Sequence, residues 1–383
     1  MKTRIASAAS ALALAVAAIV SPVQAAPRGQ VTPQGIASLV EPQAAEAVTV
    51  SVFATGLYNP RGLKFGPDGY LYVAEGGRGG THSTAGKCEQ VIPAVGPYTG
   101  SYSGSGRISR IDPQGVRTTV TKQLPSSQTS ADLGSLISGV GDVAFIGNTL
   151  YAILAGAGCS HGVDGRDNAV LRIKAGGVPG LVANLSEYQK SHPVQNPPAG
   201  DFEPDGTWYS MIAVGNSLFA VEPNHGELVQ VTTDGQIHRI ADISASQGHI
   251  VPTAVAVHNG NFFVGNLNTF PIVKGSSKIL RVTPSGQVTT VIGGLTTVLG
   301  LQFDSQDRMY VLQMSSGDDP NPTPGTGSIL RIDHSGARET IVSGLSLPTA
   351  MTFGPDGDLY VSNLGFGAPP VGLGQVLRIH LGN

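Results

Sequence analysis

Residues 59–75 read NPRGLKFGPDGYLYVAE, two short apolar runs separated by Gly66-Pro67-Asp68-Gly69. Proline presets one φ angle of a tight turn, and glycine adopts the conformation that other residues resist, so the segment predicts a β-hairpin. Most of it returns near the end of the chain as LPTAMTFGPDGDLYVSN, residues 347–363. A unit that recurs within one chain indicates a repeat fold.

The second half of the hairpin recurs six times along the chain. Its copies begin at Tyr72, Tyr151, Phe219, Phe263, Tyr310 and Tyr360. A third apolar strand follows each copy, and all third strands except the last run through a short turn into a fourth. Four antiparallel strands repeated six times predict an all-β fold, a six-bladed β-propeller.

The two ends of the repeat region predict how the ring closes. The sixth unit reaches Asn383 directly after its third strand, and Thr49–Leu57 resembles the fourth strands at Thr289–Leu295 and Glu339–Leu345. We expect the N-terminal strand to complete the last blade, which leaves no edge of the ring unpaired. A pair of β-sandwiches is the alternative, but it explains neither the period nor the missing strand.

The beginning of the chain has the pattern of an export signal. Residues 1–25 carry positive charges, then an apolar run, then small residues at the point where a signal peptidase cleaves. Residues 26–47 are rich in Pro, Gln and Ala and are interpreted as a flexible lead-in, with the propeller spanning 48–383. We expect a secreted, extracellular protein with no membrane span in the mature chain. An uncleaved N-terminal anchor is the alternative.

Composition limits the partners of this protein. Charged residues make up 13% of the chain, the formal net charge is -3, and no basic block is present. Nucleic acid is therefore not expected as a partner, and we expect a monomer. The two cysteines, Cys88 and Cys159, predict one disulfide in an exported chain. Two free thiols or a redox pair are the alternatives.

The lengths of the connections predict where ligands bind. Turns within each pair of strands are short, and the long insertions come before the first strand or after the second strand of a unit. Both positions lie on one face of an up-and-down blade, here named the loop-bearing face. The main insertions on this face are 76–106, 155–168, 186–209, 267–278 and 314–328. We expect this face to bind a small polar molecule or a protein.

The strongest constellation on this face is the set of residues that end the second strands. They are Glu75, Leu154, Glu222, Asn266, Gln313 and Asn363. Carboxylate and amide oxygens suit a hard cation, so Glu75, Glu222, Asn266 and Asn363 are candidate ligands of a divalent ion such as Ca²⁺. The alternative is that these strand ends are polar because they meet water and cap adjacent backbone.

Other candidates stand beside this set. Arg61 and Asp142 lie at the start of first strands, and His225 follows Glu222 closely enough to act as a general base. The full candidate binding set is Arg61, Glu75, Asp142, Glu222, His225, Asn266, Gln313 and Asn363. His82, His161 and His249 also fall in long loops, where a solvated loop histidine is the alternative to a functional one.

Three features, together with the export signal at 1–25, resemble the ScyD/ScyE family of exported propeller proteins. They are VFATGLYNPRGLKFGPDGYLYVAEGG at 52–77, GSGRISRID at 104–112, and the loops that hold Cys88 and Cys159. The repeats are also similar to NHL-like, gluconolactonase-like and soluble quinoprotein-dehydrogenase propellers. The ScyD/ScyE resemblance implies no catalytic residues. The gluconolactonase-like pattern implies a metal-binding acid at the start of a first strand, a place that Arg61 takes in the first unit.

Two functions from different classes follow from these observations. The leading interpretation is a secreted binding or accessory module of the ScyD/ScyE type. The alternative is a lactonase-like hydrolase dependent on a divalent metal, with His225 as its base. A quinone-dependent dehydrogenase is a weaker third hypothesis, since no cofactor-binding set was recognised. Metal content would separate the first two.

Overall fold

Antiparallel β-strands form nearly all the regular structure in the part of this protein that can be described. The computed structural model describes residues 47–93, 95–132, 134, 136–366 and 372–382. The proposed export signal, 1–25, and all of the lead-in except Ala47 lie outside the described residues. In the described part, no helix combines the length and apolar character needed to cross a bilayer.

The strands are numbered in chain order. The first thirteen are β1 (Thr49–Leu57), β2 (Pro60–Phe65), β3 (Leu71–Glu75), β4 (His82–Ser83), β5 (Thr99–Ile111), β6 (Arg117–Gln128), β7 (Ile137–Ser138), β8 (Val140–Ile146), β9 (Thr149–Leu154), β10 (Ala169–Lys174), β11 (Val178–Asn184), β12 (Ser210–Val214) and β13 (Ser217–Glu222). The others are β14 (Glu227–Thr232), β15 (Ile237–Asp242), β16 (Pro252–His258), β17 (Asn261–Asn266), β18 (Ser277–Val282), β19 (Val288–Leu295), β20 (Val298–Phe303), β21 (Met309–Gln313), β22 (Gly327–Ile332), β23 (Arg338–Leu345), β24 (Ala350–Phe353), β25 (Leu359–Asn363) and β26 (Gly374–His380). Short helices are α1 (Leu185–Ser191), α2 (Ser244–Gln247) and two 3₁₀ turns, Cys159–His161 and Ala175–Gly177.

In the described part of the chain these strands form six sheets. Five have four strands each, and the sheet that begins with β2 has six, β2 to β7. The first strands contact one another in the order β2, β8, β12, β16, β20, β24 and back to β2. These contacts close the innermost strands into a ring around a central channel, so the predicted all-β propeller fold is confirmed.

The ring closes as predicted, through the N-terminal strand. β1 pairs antiparallel with β26, from Thr49 opposite His380 to Leu57 opposite Gly374. Ala54 and Leu57 are buried in a cluster that also contains Leu63 and Tyr360. One sheet thus takes its strands from both ends of the repeat region, and the edge of β26 is paired.

The hydrophobic core consists of apolar layers between neighbouring sheets. Successive residues of β3 point to opposite faces, so Leu71 and Val73 pack toward β24–β26 whereas Tyr72 and Ala74 pack toward β8–β10. Because both faces of each sheet are covered, second strands such as β9 and β13 are buried at nearly every position.

The first sheet differs from the sequence prediction in its long connection. Residues 76–106 were expected to be a loop, but β5 already begins at Thr99 and pairs with the end of β6, Thr99 lying opposite Gln128. β4 pairs with the same strand, His82 opposite Gly100. The run is rich in Gly and Ser and has no apolar alternation, and its strand character comes from pairing with β6.

Candidate functional site

The polar side chains that end the second strands hold the segment that leads into their own sheet. An oxygen of each accepts a backbone N–H bond: Glu75 from Tyr58 at 2.6 Å, Glu222 from Thr207 at 2.7 Å, Gln313 from Thr296 at 2.7 Å and Asn363 from Ser346 at 2.9 Å. Asn266 does the equivalent with its amide, donating to the Ile250 carbonyl at 2.8 Å and accepting from Lys278 N at 2.7 Å. These bonds are the ones expected if the polar residues at the strand ends cap adjacent backbone groups.

The two carboxylates of this set have further partners. Glu75 forms an ion pair with Arg107 at 2.8 Å, in which both side chains are buried, and it also accepts a bond from Ser109. The second oxygen of Glu222 accepts the backbone N–H of His225. His225 Nε2 in turn donates to the Glu203 carbonyl at 2.9 Å. Within the described structure His225 therefore holds a loop in place, and its role as a general base stays a prediction.

These contacts bear on the predicted calcium set. Each of the four side chains is bonded within its own sheet, and no described hydrogen bond or ion pair joins any two of them. Across the described residues, no group of three or more His, Cys, Asp or Glu side chains is placed to share a metal ion. The calcium set stays a prediction, and the geometry gives these residues an anchoring role.

Arg61 and Tyr209 cover the end of the channel at the loop-bearing face. The Arg61 guanidinium lies 5.9 Å from the ring centre of Tyr209 and 5.8 Å from that of Phe366, and it donates to the Ile137 carbonyl. The Tyr209 hydroxyl donates to the Thr349 carbonyl at 3.1 Å. Tyr209 precedes β12 and Thr349 precedes β24, on opposite sides of the ring. The channel is thus bridged at this end.

Asp142 lies inside the channel below this bridge. Its Oδ2 accepts bonds from Met211 N at 2.8 Å and Ser210 Oγ at 3.3 Å, so it links the second and third sheets. A Cβ at Gly62 would lie 1.7 Å from Oδ1, so glycine is required where β2 passes this carboxylate. Burial raises the pKa of Asp142 to about 6, although Lys64 and the hydrogen bonds oppose the shift.

A cleft lies on the loop-bearing face, between the long connections of the first and second sheets. Its volume is about 820 Å³. We name it the polar cleft, and it is lined by Arg78–His82, Gly100, Ser101, Gly104, Ser105, Gln128 and Asp164.

Close backbone approaches give the cleft its walls. A Cβ at Gly80 would lie 2.0 Å from the Gly100 carbonyl carbon, and one at Gly100 would lie 2.5 Å from the His161 oxygen. The Cys88–Cys159 disulfide joins the two connections, as predicted. The Thr84 hydroxyl also donates to the Cys159 carbonyl. The glycines let three segments touch, and the disulfide keeps them together.

The cleft presents charges of both signs. Asp164 accepts a bond from Lys87 at 2.9 Å and lies 3.4 Å from His82 Nε2. The hydrogen bond and the charge of Lys87 lower the pKa of Asp164, which is therefore ionised at neutral pH. Arg78 lies 4.1 Å from the ring centre of Tyr58 and donates to its hydroxyl.

Sequence reasoning found only part of this site. His82 and the two cysteines were named, whereas Arg78, Gln128 and Asp164 were not. The cleft residues come from three separated segments with no common spacing. The one local signal was the density of glycine at 76–80 and 100–106, which marks places where backbones approach closely.

A buried network behind the cleft joins three of the long loops. His161 Nε2 lies 3.1 Å from Glu203 Oε2, and the Tyr98 hydroxyl donates to Glu203 Oε1 at 2.8 Å. Burial acts to raise the pKa of Glu203, but the bonds from His161, Thr207 and Tyr98 outweigh it, so the pKa lies below its ordinary value. We interpret Glu203 as a structural residue that holds these three loops together.

The closed ring of antiparallel sheets around a channel defines the class of this protein, a β-propeller. No family model and no curated protein matches the chain. Similar solved structures include a Bacteroides thetaiotaomicron protein of unknown function (11% identity, 87% of this chain and 76% of that one, TM-score 0.55).

Two further similar structures carry functional names. One is the aldose sugar dehydrogenase of Streptomyces coelicolor with PQQ bound (14% identity, 88% of this chain and 99% of that one, TM-score 0.53). The other is a gluconolactonase of Xanthomonas campestris (10% identity, 87% of this chain and 90% of that one, TM-score 0.52). At these identities the likeness to NHL-like and gluconolactonase-like propellers shows the fold alone.

Proposed function

We propose that this protein is a secreted propeller of the ScyD/ScyE type, its six sheets being six blades, that binds a small hydroxyl-rich molecule in the polar cleft. The observation that carries the proposal is the cleft itself. It lies on the face where the long loops meet, its volume is in the range typical of small-molecule sites, and its walls are held by a disulfide.

The polar groups of the cleft match the chemistry of a hydroxyl-rich ligand. Each hydroxyl both donates and accepts a hydrogen bond, so a site for several hydroxyls needs acceptors and donors side by side. The Asp164 carboxylate accepts, while Arg78, His82 and the Gln128 amide donate. The glycine backbone adds N–H and C=O groups without side chains in the way.

Calorimetric titration of the exported protein tests the proposal. Glucose, gluconate and a disaccharide are suitable probes, since solved structures of similar fold are named for aldose sugars and gluconolactone. We expect D164N to weaken the binding of the best probe at least fivefold, because the strongest acceptor loses its charge. Asp307 is the matched control, because it is also exposed and also faces a histidine, His258, outside the cleft.

Two results would contradict this proposal. One is the absence of binding of all three probes to the wild-type protein at 10 mM concentration, on the order of the weakest specific sites. The other is an equal effect of D164N and D307N on affinity. N-terminal sequencing and size-exclusion chromatography of the exported protein test secretion and the monomeric state, which belong to the same proposal. We expect a mature N-terminus near residue 26.

A lactonase-like hydrolase is the second candidate, and Asp142 favours it. A buried carboxylate whose pKa is about 6 is ionised at neutral pH and basic enough to take a proton from water. Against it, Arg61 and Tyr209 bridge the channel between Asp142 and the loop-bearing face. Gluconolactone hydrolysis followed by pH-stat, with and without Ca²⁺, tests this candidate. If D142N hydrolyses gluconolactone as fast as the wild type does, Asp142 takes no part in the reaction.

A further inference from the structure

The channel opens on the face opposite the long loops. A second cavity, of about 340 Å³, lies where the first strands end and tight turns such as Gly66–Gly69 lead to the second strands. We name it the turn-face cavity. It is lined by Lys64, Phe65, Ala144, Phe145, Ile212, Ala213, Val255–Val257, Gln302 and Phe303. The Arg61–Tyr209 bridge covers the other end of the channel, so this cavity is reached from the turn face.

Aromatic side chains form much of its wall, and neighbouring rings hold them. Phe65 packs edge-on against Tyr360 at 4.9 Å between ring centres, and Phe145 packs against Tyr72 at 5.0 Å. Phe303 stacks on His258 at 4.1 Å. Since each ring is fixed by a partner outside the cavity, the apolar surface is formed before any ligand arrives.

Lys64 is the one cationic side chain among the residues that line this cavity. It is partly buried and forms no hydrogen bond or ion pair within the part of the chain that the structure describes. Its charge acts on the Asp142 carboxylate, deeper in the channel, and both residues line a constriction of only about 20 Å³. An ammonium group beside apolar walls is stabilised by an anion that can approach it. Here the open cavity gives an anion access to the Lys64 ammonium.

We propose that the turn-face cavity binds a small monocarboxylic acid with an aromatic or branched apolar body. The carboxylate pairs with the Lys64 ammonium, and the apolar body packs against Phe65, Phe145 and Phe303. The volume is near the lower limit for small-molecule sites, which favours a body of about one aromatic ring. This site is independent of the polar cleft, because the two share no residue and open on different faces.

Calorimetric titration with 3-phenylpropionate and the neutral 3-phenylpropionamide tests the proposal on the full exported chain. The two probes share the aromatic body and differ in charge. We expect the acid to bind at least tenfold more tightly than the amide. In K64M the affinity for the acid should fall to that for the amide, which should itself be unchanged. K64R should keep the preference for the acid.

Two controls separate a local effect from unfolding and from the other site. Lys174 is exposed at the end of β10 and is not among the residues that line the cavity, so K174M should bind both probes as the wild type does. D164N in the polar cleft should also leave both affinities unchanged. Thermal melts of each variant report whether the fold is retained. Equal binding of acid and amide, no binding of either, or an acid preference that survives in K64M would overturn the proposal.

Discussion

At the scale of single residues, the acids that end second strands bond within their own sheets. Glu75 illustrates this, because it accepts the Tyr58 backbone N–H and pairs with Arg107 in a buried ion pair. A polar residue at the end of an apolar strand is ambiguous in sequence, since the same position suits a ligand site or a cap. The backbone partner, 17 residues earlier in the chain, shows that Glu75 caps a backbone group.

The first prediction concerns this ion pair. E75Q keeps an acceptor for Tyr58 but leaves the buried Arg107 charge uncompensated, so we expect the free energy of unfolding to fall by about 3 kcal/mol. The control is E339Q, which breaks an exposed ion pair with Arg331. This variant should change the free energy of unfolding by less than about 1 kcal/mol. Urea denaturation measures both. Equal effects of the two variants would show that burial of the pair is unimportant.

The second prediction concerns Asp142 and pH. Its pKa is about 6 in the folded protein and 3.8 for an ordinary aspartate, so the folded state binds the proton more tightly. This group therefore lowers stability as pH rises from about 4 to about 6, by roughly 3 kcal/mol, and adds no pH dependence above that.

D142N cannot titrate, so the variant should lose this contribution. The difference in unfolding free energy between D142N and the wild type should shift in favour of the variant by roughly 3 kcal/mol between pH 4 and pH 7. Urea denaturation at both pH values gives the difference. A shift of zero would mean that the carboxylate of Asp142 is solvated in the folded protein.

At the scale of elements, the long connections of the first two sheets behave as one unit. The disulfide closes a span of 71 residues, and the buried Glu203 network ties the same loops to the third sheet. A strand pair, β4 with β5, extends the first sheet into the loop-bearing face. The walls of the polar cleft are therefore braced by covalent, polar and strand contacts.

The third prediction concerns the disulfide. A C88S/C159S variant should be destabilised by up to about 4 kcal/mol, because the unfolded chain regains the freedom of a long loop. Hydrogen exchange should rise in residues 82–100 and 158–164, while the sheets from β12 to β23 stay protected. Affinity for the cleft ligand should fall as well. A uniform rise across all sheets would show that the disulfide supports the whole ring.

At the scale of the whole molecule, stability depends on closing the ring. β1 supplies the outer strand of the sheet formed by β24–β26, and without it the edge of β26 would be exposed. Ala54 is buried between this sheet and the first, against Leu63 and Tyr360.

The fourth prediction tests this closure. A54D places a carboxylate in the apolar layer between the first and last sheets, so we expect a loss of about 3 kcal/mol or more and a tendency to aggregate through β26. S51D, on an exposed position of the same strand, should change stability by less than about 1 kcal/mol. Thermal unfolding and light scattering measure both effects. Equal melting temperatures for the two variants would contradict the closing role of β1.

Sequence alone predicted the repeat, the turns and the closing strand, each from a pattern within about 20 residues or from a comparison between copies of one unit. The disulfide was predicted from the presence of two cysteines in an exported chain, and the structure confirmed it. Apolar alternation and the Gly-Pro-Asp-Gly turn are local chemistry, so they need no knowledge of distant contacts. The start of β5 at Thr99 was not predicted from the sequence, because its strand character comes from pairing with β6.

Only the tertiary structure decided what the polar residues do. Glu75, Glu222, Asn266, Gln313 and Asn363 became anchors because their partners are backbone groups brought close by folding. The ring also decided that Asp142 and Lys64 share a narrow channel and that Arg78 and Asp164 face one cleft. The electrostatic environment, the burial and the contacts of a side chain depend on neighbours from different sheets. The sequence of a single strand does not identify those neighbours.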